Sequence, residues 1–363
     1  MPESLSRRDF LRSSGAAGLS AALVGPAVLA RAAEAVVPSA KKLPRWRGFN
    51  LIDMFLHDRH GPFQSEDFAL LEEWGFDFVR LPLSYRCWAK AEDPYALDEA
   101  VLKRIDAAVD LGKKHHVHVN VNLHRAPGYC VNPPKEPKDL WKDEDALKAA
   151  AFQWAHFAKR YKGRPSSEVS FDLLNEPANV SEEDYARVVR RLVEAIRAAD
   201  PSRLIVADGL RWGRDPVHAI ADLGVAQSTR GYDPMEVSHW KASWVGGSEK
   251  WAVPTWPLRK SEKDVWDRDR LLRDRISPWK VLEAKGVGVH VGEWGAHQHT
   301  PHDVVLAWMR DQLSLWREAG WGWSLWNLRG SFGVLDSRRK DVKYEKVRGH
   351  DLDRAMLEVL RAG

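Results

Sequence analysis

Three stretches of the chain repeat one event. In "EEWGFDFVRL", "EAKGVGVHVGEW" and "REAGWGWSLWN" a helix-like segment stops at Gly75, Gly286 or Gly320, and an apolar run starts at once. Glycine supplies the left-handed cap that ends a helix without a Cβ penalty, and the run that follows reads as a buried strand. In "GKKHHVHVNVNL" a histidine fills the capping place, which that conformation tolerates better than it does a β-branched residue. Strands entered from helices in this way lie parallel, because a crossover helix returns the chain to the same end of the sheet.

Followed along the sequence, the alternation predicts strands at Arg47–Leu51, Phe76–Leu81, Val117–Leu123, Val169–Leu174, Leu204–Ala207, Met235–Ser238, Val287–Gly292 and Gly322–Trp326. Helical periods fall at Asp67–Trp74, Leu97–Lys114, Asp145–Tyr161, Ser181–Ala199, Asp267–Ala284, His302–Glu318 and Asp351–Leu360. "SEED" at Ser181–Asp184 and "TPHD" at Thr300–Asp303 each set an N-cap hydroxyl before an acid. Eight β-then-α units in residues 43–361 predict an α/β fold of the (β/α)8 TIM barrel type in a single domain. A doubly wound open sheet is the competing arrangement. It expects a glycine-rich phosphate turn after the first strand, where "GFNLIDMF" stands instead.

In a barrel, chemistry collects at the C-terminal ends of the strands. Read there, strand two delivers Arg80, strand three His124, and strand four Asn175 and Glu176 in "FDLLNEP". Strand six delivers His239, strand seven Glu293 in "HVGEWG", and strand eight Trp326. Two carboxylates across one cleft are what cleavage of a glycosidic bond needs. One stays protonated to supply the leaving oxygen, and the other is ionised to meet an oxocarbenium-like centre. Proximity separates their pKa values, and Arg80 can hold one of them ionised through a charge-assisted hydrogen bond.

The stretches "LLNEP", "RLPLSY", "NLHRAPG" and "GEWG" make the chain resemble glycoside hydrolase family 5, the cellulase-type barrels among the retaining glycosidases, from about Trp46 onward. That resemblance implies Glu176 as acid/base, Glu293 as nucleophile, and Asn175 as partner of the sugar 2-hydroxyl. Arg80 would orient Glu293, His124 and His239 would line the same subsite with Trp240 beside them, and Trp326 would be the platform beneath the sugar. It further implies retaining double displacement on a β-1,4-glucan-type polysaccharide, with a β-mannanase or an exo-acting β-glucosidase as alternatives. The family pattern has a tyrosine two residues after the strand-six histidine, bonded to the nucleophile. Here Lys241 takes that place in "HWKASW", so either the strand-six alignment shifts or another group contacts Glu293.

Other classes fit less well. A non-catalytic carbohydrate-binding barrel has no need of a paired acid and nucleophile. A net charge of +4 with interleaved acids leaves no nucleic-acid footprint. The cluster His297, His299 and His302 in "AHQHTPHD" matches no zinc spacing, and the implied reaction needs neither metal nor organic cofactor. Cys87 and Cys130 follow neighbouring expected strands, so a disulfide is conceivable; two separate thiols is the simpler reading. The loop "WKASWVGGSEKWAVPTWP" carries Trp244, Trp251 and Trp256, either as faces for sugar rings or as packing of the loop onto the barrel.

The N-terminal residues 1–35 read as a targeting segment. "SRRDFL" (Ser6–Leu11) is a twin-arginine signature, followed by a small and apolar run broken by Gly15, Gly18, Gly25 and Pro26. That run is short for a stable span, so no lasting membrane association is expected after cleavage. Export through the twin-arginine machinery to the periplasm or cell exterior predicts a mature N-terminus near Ala32–Ala35. N-terminal sequencing of exported protein checks this, and a first residue of Met1 would overturn it.

Overall fold

The computed structural model describes residues 37–363, so the expected targeting segment lies outside the described residues. Eight parallel strands form the wall of a closed barrel: β1 (Arg47–Asn50), β2 (Phe78–Ser84), β3 (His118–Ala126), β4 (Val169–Asp172), β5 (Ile205–Asp208), β6 (Ala226–Gly231), β7 (Val289–Trp294) and β8 (Gly322–Leu325). Each pairs in parallel with the next, and β1 closes the ring against β8. The longer helices are α1 (Ser65–Trp74), α2 (Glu99–Lys114), α3 (Glu144–Arg160), α4 (Glu182–Ala199), α5 (Ser277–Glu283), α6 (His302–Ala319) and α7 (Arg354–Ala362). This is the (β/α)8 arrangement that the alternation predicted.

The junctions behave as their residues require. Gly75, Gly286 and Gly320 take φ values of 81°, 81° and 78°, and His116 takes 56° in the place where glycine is missing. Ser181 caps α4 by accepting the Asp184 N–H at 3.1 Å. Thr300 does not cap α6. Its hydroxyl donates to the Val237 carbonyl at 2.7 Å, and α6 begins after Pro301 with no side-chain cap. The segment before β7 is broken rather than one helix, with a π-helical turn at Leu272–Ile276 before Pro278.

The sixth strand lies elsewhere than the apolar pattern placed it. Met235–Ser238 is a short helical turn after Pro234, while β6 is the preceding "AQSTRG". That strand is polar yet wholly buried, because its side chains find fixed partners. Gln227, for instance, accepts from the Val217 N–H at 2.9 Å and donates to its carbonyl at 2.7 Å. A search for apolar runs passes over such a strand.

Most of the tryptophan surplus is structural. Trp88, Trp154, Trp279, Trp294, Trp308, Trp321 and Trp323 are among the largest fully buried side chains. Trp294 on the outer face of β7 meets Trp316 edge-on at 4.7 Å and Trp323 at 5.3 Å, joining β7, β8 and α6. Cys87 and Cys130 are both free thiols.

β1 has no room for a side chain at Gly48. A Cβ on Gly48 would stand 1.7 Å from the Phe78 carbonyl oxygen of β2, which is main chain and cannot rotate away. Gly48→Ala therefore forces β1 from β2 and is expected to cost about 3 kcal/mol of stability. Gly61→Ala, with nothing within 4 Å of its new Cβ, should unfold like the wild type. Denaturant unfolding of the two variants checks the contrast.

Candidate active site

Past the end of β4, the chain passes through Leu173 and Leu174, buried, to Asn175 and Glu176. Glu176 adopts a left-handed backbone with φ 51°, a conformation that costs a side-chain-bearing residue and has to be held from outside. Two bonds hold it. Its N–H donates to Asp208 Oδ2 at 2.8 Å, and its carbonyl accepts from the Tyr129 hydroxyl at 2.6 Å. The Glu176 side chain is 14% exposed, at the floor of a cleft of about 860 Å³ on the C-terminal face of the barrel.

Glu293 lines the same cleft from β7, beside a register shift in its pairing with β6. Arg80 Nη1 donates to its Oε1 at 2.6 Å, and the Tyr232 hydroxyl donates to its Oε2 at 3.2 Å. Arg80 itself is buried in the barrel mouth. Its Nε meets Asp172 Oδ2 at 2.7 Å, Nη1 also meets Asn50 Oδ1 at 3.1 Å, and Nη2 meets Asn175 Oδ1 at 2.9 Å. Its full set of acceptors leaves one orientation for the guanidinium, and so one for the carboxylate that it touches.

A second guanidinium joins the two glutamates. Arg230, at the end of β6, donates from Nε to Glu176 Oε1 at 3.1 Å and stands 3.5 Å through Nη2 from Glu293 Oε1. Both carboxyl groups therefore lie within the reach of a single arginine head. Burial first, and then the charge of Glu293, raise the pKa of Glu176 above the ordinary carboxyl range, against the opposing pull of Arg230. Burial, with the Glu293 charge behind it, also pushes the Tyr232 phenol well up, so Tyr232 remains a neutral donor. His124 and His239 are both driven down to about 3 by burial and are neutral at ordinary pH.

His124 Nε2 bonds Asn132 Oδ1 at 2.7 Å, and its ring lies 5.9 Å from that of Trp326 at an angle of 29°. Phe55 stands edge-on to both rings, so the three form one aromatic corner of the cleft. His239 follows the helical turn after β6 rather than a strand. It lines the opposite wall, with Tyr232 at 5.0 Å and Phe332 at 5.5 Å. Of the residues singled out from sequence, Arg80, His124, Asn175, Glu176, His239, Glu293 and Trp326 thus gather in or directly beneath one cleft.

Trp240 does not join them. Its indole N–H donates to the Trp251 carbonyl at 3.0 Å, and the Lys241 ammonium sits 4.2 Å above its ring. Both residues serve the packing of the loop. Of the loop tryptophans, Trp244 is 59% exposed and lines the cleft, while Trp256 bonds Asp311 and packs against the core. The histidine cluster is divided too. His297 lies under Trp244 at 5.1 Å, whereas His302 meets Asp353 at 2.8 Å. Among the described residues no group of three or more His, Cys, Asp or Glu could hold a metal ion.

Sequence reasoning passed over Arg230, Tyr232 and Asp208. The tyrosine expected beside Glu293 is Tyr232, two residues after Arg230, and "TRGYDP" carries the family spacing with arginine in place of histidine. The displaced sixth strand hid it.

The profile of the cellulase family, glycosyl hydrolase family 5, matches residues 38–331. Endoglucanase C of Acetivibrio thermocellus is 25% identical over 307 residues, 78% of this chain and 89% of its own. A crystal structure described as a glycoside hydrolase superposes with a TM-score of 0.83 at 40% identity, covering 88% of this chain and 99% of that one. The endoglucanase Cel5A of Thermotoga maritima shares the fold, with a TM-score of 0.71 at 24% identity, covering 87% of this chain and 96% of its own. The chain belongs to glycosyl hydrolase family 5 and is a cellulase-type glycosidase that hydrolyses glycosidic bonds.

Proposed function

We propose that the protein is a retaining, endo-acting β-glycanase that cleaves β-1,4-glucan-type chains by double displacement. The observation that carries this reading is the unequal treatment of two neighbouring carboxyl groups. Glu293 receives a cationic donor on one oxygen and a phenol on the other, the surroundings of an ionised nucleophile. Glu176 is the group whose pKa burial raises, the property of a general acid.

In the first step a Glu293 oxygen bonds to the anomeric carbon as the bond to the leaving oxygen breaks, and that oxygen takes the Glu176 proton. In the second, Glu176 accepts a proton from water, whose oxygen displaces Glu293 and leaves the anomeric configuration unchanged. Asn175, held between Arg80 and Arg230 through its Oδ1, lies fully buried beneath the cleft floor with its amide nitrogen 3.5 Å from His124 Nε2, one movement away from a sugar hydroxyl. Endo action is supported by the endoglucanases among the relatives. Exposed Trp212 and Trp244 supply flat apolar faces at the cleft walls.

Glu176→Gln and Glu293→Gln should each lower kcat on soluble cellulose derivatives and mixed-linkage glucan by about a thousandfold or more. Proton NMR of the first product from wild type should show the β-anomer, and an α-anomer would overturn retention. Release from mannan alone, or only from chain ends, would reassign the substrate to the mannanase or exo-acting reading. Protonated Glu176 is the active form, so activity falls as pH rises through its pKa; because that pKa is raised, the alkaline limb lies well above the range of a free carboxyl. A pH profile of kcat/KM reads it.

Trp244→Ala should raise KM for long chains about tenfold, with short aryl glycosides and the unfolding midpoint little changed, because most of the ring is exposed at the cleft mouth. Equal kinetics on both substrate lengths would remove Trp244 from substrate binding.

A further inference from the structure

At the end of β6 the chain places a permanent cation where the family pattern has histidine. Histidine at that place can be neutral; arginine cannot. A guanidinium 3.1 Å from Glu176 Oε1 favours the carboxylate, which is the wrong form for a proton donor. The neighbouring strand carries the offset. Asp208, fully buried at the end of β5, accepts from Arg230 Nη1 at 3.1 Å and also from its Nη2. The same carboxylate accepts the Glu176 backbone N–H at 2.8 Å.

The space is shaped for the longer side chain. A Cβ on Gly213, which has φ 74°, would meet Arg230 Cγ at 2.6 Å, and one on Gly292 would meet Arg230 Nη1 at 2.8 Å. Ser228 Oγ accepts from Nη1 at 3.0 Å, and Asn175 Oδ1 accepts from Nη2 at 3.0 Å. No donor nitrogen of Arg230 is idle.

We propose that Arg230 and Asp208 form one charge-balanced positioning unit for Glu176, aiming its carboxyl group and setting the pH range over which it can donate a proton. The proposal rests on the reading of Glu176 as acid/base. Arg230 fixes the side chain and Asp208 fixes the backbone of the same residue, while the two opposite charges cancel. The other groups facing Glu176 and Arg230 are Glu293 from β7, Asp172 from β4, Arg80 from β2, His124 and Tyr129 from β3 and its return, and Tyr232 after β6. None of them touches both parts of Glu176 as this pair does.

The test is the pH dependence of kcat/KM on an aryl cellobioside with a poor leaving group, measured for Asp208→Asn, Arg230→Gln and the double variant. Asp208→Asn leaves the cation uncompensated, so the alkaline limb should move down by about one pH unit. Arg230→Gln leaves the anion uncompensated, and the limb should move up by a similar amount. The double variant should return close to wild type. A dinitrophenyl cellobioside, whose leaving group needs no proton, should show no such movement in any of them. Should Asp208→Asn not fold, Arg230→His with Asp208 intact repeats the demand made of Arg230→Gln, an upward limb. Coincident limbs in folded, active variants would overturn the unit. Persistence of the wild-type limb in Glu176→Gln would instead remove Glu176 as the acid.

Discussion

Two arginines, Arg80 and Arg230, hold four carboxyl groups together in the mouth of the barrel. Asp172 and Asp208 anchor the guanidinium groups from β4 and β5, and Glu176 and Glu293 meet them from the cleft side. A buried charge is costly unless it is paired and its hydrogen-bond capacity filled. Each arginine here spreads its donors over several strands, so its position is set by the closed wall of the barrel rather than by any one neighbour. Burial, followed by the charge of Asp208, raises Asp172 to about 7, a sign of how many acids share the space. The two glutamates inherit a geometry that strand pairing enforces.

That dependence explains what could be read from residue order and what could not. Helix-to-strand junctions depend on one residue, glycine or an αL-tolerant histidine, and so are visible locally. Glu176 and Glu293 are also visible, because a carboxylate ending a buried apolar run has few structural uses. Strand β6 is a different case. Its Gln227 and Arg230 are buried by partners brought from β5, the following β7 and the loop at Val217, none of them adjacent in sequence. The segment Met235–Ser238 imitates a strand by its alternation, and shifting the sixth strand onto it carried Trp240 and Lys241 towards a site that they do not enter. The missing tyrosine and the unforeseen arginine follow from that single displacement.

The tryptophans divide along the same line. A sheet covered on both faces needs large rigid side chains between strand and helix, and Trp294, Trp308, Trp316 and Trp323 fill that layer. Those in the cleft differ in exposure rather than in sequence context. Trp244 is open to solvent and Trp326 only half-buried, each beside another ring that limits its rotation. Composition alone could not separate these groups, since an indole serves equally well as core filler or as a face for a sugar ring.

Glu176 shows how the two demands meet in one residue. Left-handed backbone at a glutamate costs about 1–2 kcal/mol, and the chain accepts that where an ordinary strand end would have carried the carboxyl elsewhere. The cost is offset by groups that the site requires in any case. Asp208 takes the strained N–H while balancing Arg230, and Tyr129 takes the carbonyl while also accepting from Ala178. Strain at Glu176 and order in the arginine network are thus not independent features. Loosening Asp208 releases the backbone of Glu176 and the cation beside its side chain together, so the geometry and the protonation of this group change as one.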